Sequence, residues 1–245
     1  MILQQATWQD VEAYLQRSTA IVIPIGSTEQ HGPNGLLGTD AICPEVIARG
    51  MSEQADVLVG PTQAIGMAQH HMAFAGSITL RPSTLIAVLG DTIASLARHG
   101  FDHILFLNGH GGNIATVNAA FAEVYAESSL AAQASPLHLK LFNWFEGERV
   151  RTLSRRLFGE ADGSHATAAE ISLTWHAYPQ AVRYPEISPK IAPDGAFRDA
   201  ADFRARFADG RMGSDPLLAS AEHGKALFDA ALEDVMAFWH QWARV

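Results

Sequence analysis

The chain has 245 residues, is 48% hydrophobic and 18% charged, and carries a formal net charge of -9 at pH 7, values that suit a globular domain with a sizeable core. The acidity argues against a nucleic-acid partner, since phosphate backbones are bound by clustered Lys and Arg, and no apolar run approaches the roughly 18 residues of a membrane span. A single cysteine, Cys43, excludes an internal disulfide, and residues 1–14 lack the basic and apolar stretches of a signal peptide, so the cytoplasm is expected.

Short apolar runs predict strands at Ala20 to Ile25, Val57 to Val59, Ile104 to Leu107 and Leu137 to Phe142. Between them, Ser83 to His99 places Leu85, Val88, Leu89, Thr92 and Leu96 close to a 3.6-residue period, with Pro82 before and Gly100 after it. Ile114 to Glu127 reads as a second helix. Pro216 to Trp242 reads as a long last one, with Phe228, Leu232, Val235 and Trp239 on one stripe. Strands alternating with helices imply crossovers and a mostly parallel sheet covered on both faces, within one domain over residues 1–245. Tyr178 to Asp215, rich in proline and glycine, reads as a partly ordered excursion within that domain.

The polar interruptions fall where strands end, the edge at which open parallel sheets bind ligands. Glu29 and His31 follow the first strand, Asp40 follows the loop PNGLLGT, and NGHGGN brings His110 to the end of HILFL. In DGSHATAAEISL, Asp162 and Ser164 are expected helix caps, with Glu170 in the second turn. Glu29, His31, Asp40, His110 and Glu170 thus offer two imidazoles and three carboxylates without a thiolate. That donor set suits Zn2+, Mn2+ or Fe2+, and a carboxylate can bridge two ions about 3.5 to 4 Å apart. NGHGGN has a competing reading as a phosphate cradle of backbone N–H groups, but it lacks the Lys and Ser/Thr of a P-loop.

The segments IPIGSTEQHG with Thr39 and Asp40, FAGSITL, ARHGF, NGHGGN, SHATAAEISL and GSDPLLASAEHGKALF together resemble the creatininase family of amidohydrolases along nearly the whole chain. The resemblance implies a three-layer α/β/α fold, a binuclear metal centre, hydrolysis of a C–N bond in a small cyclic or linear amide, and a homo-oligomer, often a hexamer. It implies that Glu29 and His110 hold one metal, His31 the other, and that Asp40 bridges them. Creatininase has a glutamate ligand where this chain has Gly112, so Glu170 becomes the replacement. It also has a glutamate where this chain has Ser164, and a pocket tryptophan where this chain has Ala161, while Trp144 matches its second one. These departures point away from creatinine itself.

Two divalent ions would supply a metal-activated water and polarise the amide carbonyl. His165, just ahead of Glu170, is the expected acid/base for the leaving nitrogen, with Glu170 beside it. His71, Trp144 and Ser164 are the expected substrate contacts. Within the family, deformylases of pyrimidine intermediates and peptidases maturing a peptide-derived cofactor share these segments. A non-catalytic metal- or ligand-binding protein on the same fold is the alternative from another class.

Overall fold

The run AIVIPI forms β1 (Ala20–Ile25), buried along its whole length, at the centre of a computed structural model that describes residues 1–243. The last two residues of the expected 1–245 domain lie outside the described residues. A strand covered on both faces needs no polar alternation, so it reads as a continuous apolar run. The other strands are β2 (Leu58–Val59), β3 (His103–Asn108) and β4 (His138–Asn143), in the order β2-β1-β3-β4 and all parallel. Ile25 pairs with Asn108 and Asn108 with Asn143, so three strands end level with one another at one edge. Compared with the expectation, β2 is only two residues long, β3 gains a residue at each end, and β4 is shifted by one.

The helices are α1 (Trp8–Leu15), α2 (Thr39–Gln54), α3 (Pro82–Arg98), α4 (Ile114–Leu130), α5 (Glu148–Phe158), α6 (Ala168–Ala177), α7 (Ala200–Arg206) and α8 (Ala221–Trp242). Successive strand side chains point to opposite faces, and two cores result. Ile21, Ile23, Ile25, Ile104 and Phe106 pack with Tyr14, Leu85, Leu89 and Val117 of α1, α3 and α4. Val22, Leu105 and Leu107 pack with Ile47, Leu173, Leu227 and Val235 of α2, α6 and α8. The result is the expected α/β/α sandwich with a parallel sheet.

Two boundaries need physical correction. The expected helix from Pro216 to Trp242 is split: Pro216–Leu218 is a 3-10 turn, and α8 starts only after Ser220, whose extended backbone and hydroxyl, accepting from His223 N at 3.0 Å, cap it. The cap of α6 is Thr167, not Asp162 or Ser164. Thr167 and Glu170 form a reciprocal capping box, which places Glu170 in the first turn and not the second. Asp162 still contributes, its Oδ1 accepting from Ala169 N at 3.0 Å.

The excursion over residues 178–215 contains α7 and is tied down by Arg211, which is fully buried. Its guanidinium donates to the carbonyls of Pro189, Lys190 and Ser214 and to Asp209. At the sheet edge, two glycines let the backbone of α2 come close. A Cβ on Gly26 would sit 2.1 Å, and on Gly109 2.0 Å, from the carbonyl oxygen of Asp40. Gly109→Ala should therefore push the first turn of α2 away and destabilise the fold by about 1–3 kcal/mol, the usual cost of overpacking. Chemical denaturation giving wild-type stability for this variant would show that the contact is not needed.

Candidate metal centre

Five stretches of chain meet at the level strand ends. The loop after β1 supplies Glu29, Gln30 and His31; the first turn of α2, Asp40; the turn after β3, His110; the first turn of α6, Glu170, with His165 just ahead of it; and a 3-10 turn at Gln69–His71, His71. Glu29, His31, Asp40, His71 and His110 are all buried. Local hydrogen bonds aim them. Ser27 Oγ donates to Glu29 Oε2 at 2.8 Å. Asn108 Oδ1 accepts from His110 N, its Nδ2 donates to His110 O, and Asn113 Nδ2 donates to Gly26 O. The asparagines of NGHGGN are thus struts. The amides of Gly109, His110 and Asn113 are occupied by the protein's own acceptors, which removes much of a phosphate cradle.

Asp40 lies between the two imidazoles, Oδ1 3.0 Å from His31 Nε2 and Oδ2 2.9 Å from His110 Nδ1. His110 Nε2 is 3.3 Å from Glu29 Oε2, and His31 Nε2 is 3.8 Å from Glu170 Oε2. Glu29, Asp40 and His110 form one group of donor atoms all within 4.8 Å of one another; His31, Asp40 and Glu170 form a second, and Glu29, His31 and His165 a third. Asp40 belongs to the first two. Two buried carboxylate oxygens here, Glu29 Oε1 and Asp40 Oδ2, have no aligned hydrogen-bond donor among the described residues. Buried polar atoms are seldom left so, and an oxygen-and-nitrogen donor set with unused lone pairs fits divalent cations.

The ionisable groups of the centre interact strongly with one another. Burial opposes protonation of His31, but Asp40 and Glu170 overcome it and raise its pKa to about 10. Burial likewise opposes protonation of His110, and Glu29 and Asp40 raise its pKa to about 10. Asp40 is driven the other way: burial would raise its pKa, yet the two imidazoliums hold it far below the usual carboxylate range. Glu170 is pushed up to about 7, chiefly by burial and against the pull of His31.

His165 is in a different state. Burial and the neighbouring His31 and His71 hold its pKa well below the ordinary value, so it is neutral. Its Nε2 lies 2.8 Å from both the Gln30 carbonyl, an acceptor, and the Gln30 side-chain amide; the two protons of that amide have acceptors in His71 Nδ1 and Gly210 O, which assigns the ring proton to Nε2. The lone pair of Nδ1 then faces Glu29 Oε1 at 3.8 Å. The side-chain amide of Gln30 sits 2.9 Å from His71 Nδ1, which accepts from it, leaving His71 Nε2 3.1 Å from Glu29 Oε1 but out of hydrogen-bond alignment. The rings of His71 and His165 stack at 4.3 Å.

A cavity of about 870 Å³ opens over Asp40, His110, His165 and Glu170. Of the expected substrate contacts, Trp144 and Ser164 line it, with the Trp144 indole N–H buried and unpartnered among the described residues. His71 is packed behind Glu29, and its neighbour His70 lines the cavity instead. Gly112 has a steric reason to be glycine, since a Cβ there would meet His110 Nε2 at 2.4 Å. Gln30 was missed as a member of the centre, although it stands between Glu29 and His31 in TEQHG. Phe203 and Met212 were missed as well. Phe203 packs edge-on against His71, and Met212 pairs by backbone with His165. Both come from the excursion, whose composition carries no sign of such a role.

Residues 4–239 match the sequence model of the family described as Creatininase: creatinine amidohydrolase. The mycofactocin precursor peptide peptidase of Mycobacterium ulcerans (strain Agy99) is 27% identical over 236 residues, covering 91% of this chain and 85% of that protein. Among solved structures, a tryptophan-to-phenylalanine mutant of creatininase, Type II, superposes with a TM-score of 0.88 at 21% identity, over 100% of this chain and 99% of that one. A glutamate-to-glutamine mutant of creatininase described as Zn-Zn type gives 0.85 at 21% identity, over 100% and 98%. No described helix is long and apolar enough to cross a membrane. With a family match running through all the strands and every residue of the centre, this chain belongs to the creatininase family of amidohydrolases.

Proposed function

We propose that the chain hydrolyses a C–N bond of a small amide at a centre of two divalent ions, one held by Glu29, Asp40 and His110 and the other by His31, Asp40 and Glu170. The observation that carries this reading is the pair of three-residue groups sharing Asp40, buried except for the half-buried Glu170. Nitrogen and oxygen donors without thiolate suit Zn2+ or Mn2+, with Fe2+ as a further candidate. When bound, the ions would lower the pKa of a coordinated water and polarise the scissile carbonyl.

The rest of the chemistry belongs to the chain. Glu170 divides its carboxylate: Oε1 accepts from Thr167 N at 2.6 Å and Oε2 is turned toward His31. The capping box thereby orients a ligand. His165, neutral and with its Nδ1 lone pair directed into the centre, is placed to take a proton at Nδ1 and return it to the departing nitrogen, while the Gln30 carbonyl keeps the ring from turning. Phe203 and Met212 shield it from solvent.

A second reading, supported by the 236-residue alignment to a precursor peptide peptidase, is hydrolysis of a peptide amide. The cavity is large for a single five-membered ring, at the upper end of the roughly 300–1,000 Å³ typical of small-molecule sites. A screen of cyclic amides, formamides and short peptides separates the two readings. The reading extends to a homo-oligomer in the cytoplasm, for which light scattering would check the assembly and cell fractionation the compartment.

Elemental analysis of protein purified without chelator should return two divalent ions per chain; a metal-free protein that gains no activity with Zn2+ or Mn2+ would count against the proposal. Asp40→Asn, which keeps size but loses the shared charge, should lose both ions. Glu170→Gln can keep its cap on α6, so with chelator present its melting temperature should match that of the chelated parent, while the loaded variant holds one ion of the two; retention of both would remove Glu170 from the ligand set. His165→Ala should keep both ions and lose about 10²- to 10⁴-fold in kcat, the usual worth of general acid/base help. Full turnover in that variant, or loss of an ion in step with activity, would refute the role assigned to Nδ1.

A further inference from the structure

We propose that the cavity carries an anion subsite on α5: Arg151 and Arg155 bind a carboxylate or phosphate group of the substrate while its amide lies at the metal centre. For the reaction this rests on the amidohydrolase reading, but the binding does not. Both arginines line the same cavity as Asp40, His110, His165 and Glu170. They are four residues apart, so they stand on one helix face with Cβ atoms about 6 Å apart, a spacing at which two guanidinium forks can close on one oxyanion.

The chain's net charge is -9, and many of its basic side chains are matched locally to acids. Arg149, on the same helix, is taken by Glu233 and Asp234, and Arg17, Arg49, Arg206 and Lys225 by carboxylates nearby. Arg151 and Arg155 have no carboxylate within 4.0 Å among the described residues. The acids that share the cavity wall are engaged elsewhere or open to solvent. Asp162 accepts from Ser154 Oγ and Ala169 N, Asp194 accepts from Gly195 N, and Glu160 is exposed. The unpartnered indole N–H of Trp144, on the same cavity, adds a donor and no acceptor. Two divalent ions would offset the three carboxylates Glu29, Asp40 and Glu170, so the loaded centre would not repel an anion held above it as the bare carboxylates would.

The test begins with binding, independent of turnover. Inorganic phosphate titrated into the metal-loaded full-length protein should bind saturably, and R151Q/R155Q should weaken it about tenfold or more at unchanged metal content and melting temperature, as loss of charge-assisted hydrogen bonds requires. Arg49→Gln, on another surface, should bind phosphate as the parent does. No saturable binding, or equal affinity in the double variant, overturns the subsite. Two matched pairs then identify the anion: N-formylglycine against N-formylglycinamide for a carboxylate, and N-formyl-O-phosphoethanolamine against N-(2-hydroxyethyl)formamide for a phosphate. In the parent, the charged member of at least one pair should have the higher kcat/KM, through KM, and the double variant should erase that preference. If no formamide turns over, the amide reading fails for these compounds while the phosphate result still decides the subsite; if they turn over with no charge preference, the subsite has no part in substrate selection and the proposal is wrong.

Discussion

The centre depends on a carboxylate that could not be buried alone. Asp40 is 3% exposed, and its charge is tolerated because His31 Nε2 and His110 Nδ1 stand on either side of it at 3.0 and 2.9 Å. The first turn of α2 adds its N-terminal partial charge. Gly26 and Gly109 permit this placement by letting two strand-end loops close on the backbone of Asp40. Level strand ends in turn come from the parallel register of β1 and β3, which brings Glu29 and His110 to the same height. If Asp40 were displaced, the two imidazoles would lose the carboxylate that stands between them.

Around that pairing, the molecule divides labour between rigid and irregular parts. The side chains of the candidate centre sit within a few residues of strands or helix termini, where backbone hydrogen bonds fix their direction. Glu170 illustrates the economy of the arrangement, since one oxygen caps α6 and the other faces the centre. Gln30 does the same for two histidines, its backbone carbonyl setting the tautomer of His165 and its amide that of His71. The cavity wall, by contrast, is built from α5, the segment leading to α6 and the excursion over residues 178–215. Substrate choice can therefore change through these walls while the charge-balanced centre stays put, which is how one fold serves different reactions.

The fold was legible in the sequence because its signals are local. Continuous apolar strands, a 3.6-residue period with Pro82 and Gly100 at its ends, and breaks at glycine give elements and their order, and the order gives a parallel sheet. Glu29, His31, Asp40, His110 and Glu170 could be picked out for a related reason. Glu29, His31 and His110 follow apolar runs, whose C-terminal ends share an edge in a parallel sheet, whereas Asp40 and Glu170 stand at the start of a helix. The boundaries that missed did so where two local signals compete: Asp162 and Ser164 are good caps in sequence, but Thr167 stands three residues before Glu170 and wins by reciprocal hydrogen bonding.

Tertiary structure alone decided the rest. That Glu170 Oε2 turns to His31, that His165 carries its proton on Nε2, and that His71 packs behind Glu29 while His70 meets the cavity all depend on contacts between segments far apart in the chain. Phe203 and Met212 reach the centre from more than 35 residues beyond His165 only because the buried Arg211 ties down the loop that carries them. Arg151 and Arg155 look in sequence like an ordinary solvated helix face, and only the packing of α5 beside the metal centre turns that face toward the cavity. Residue type and spacing determine which donors a chain can offer; which of them share a space is set by long-range packing, whose partners no local pattern encodes.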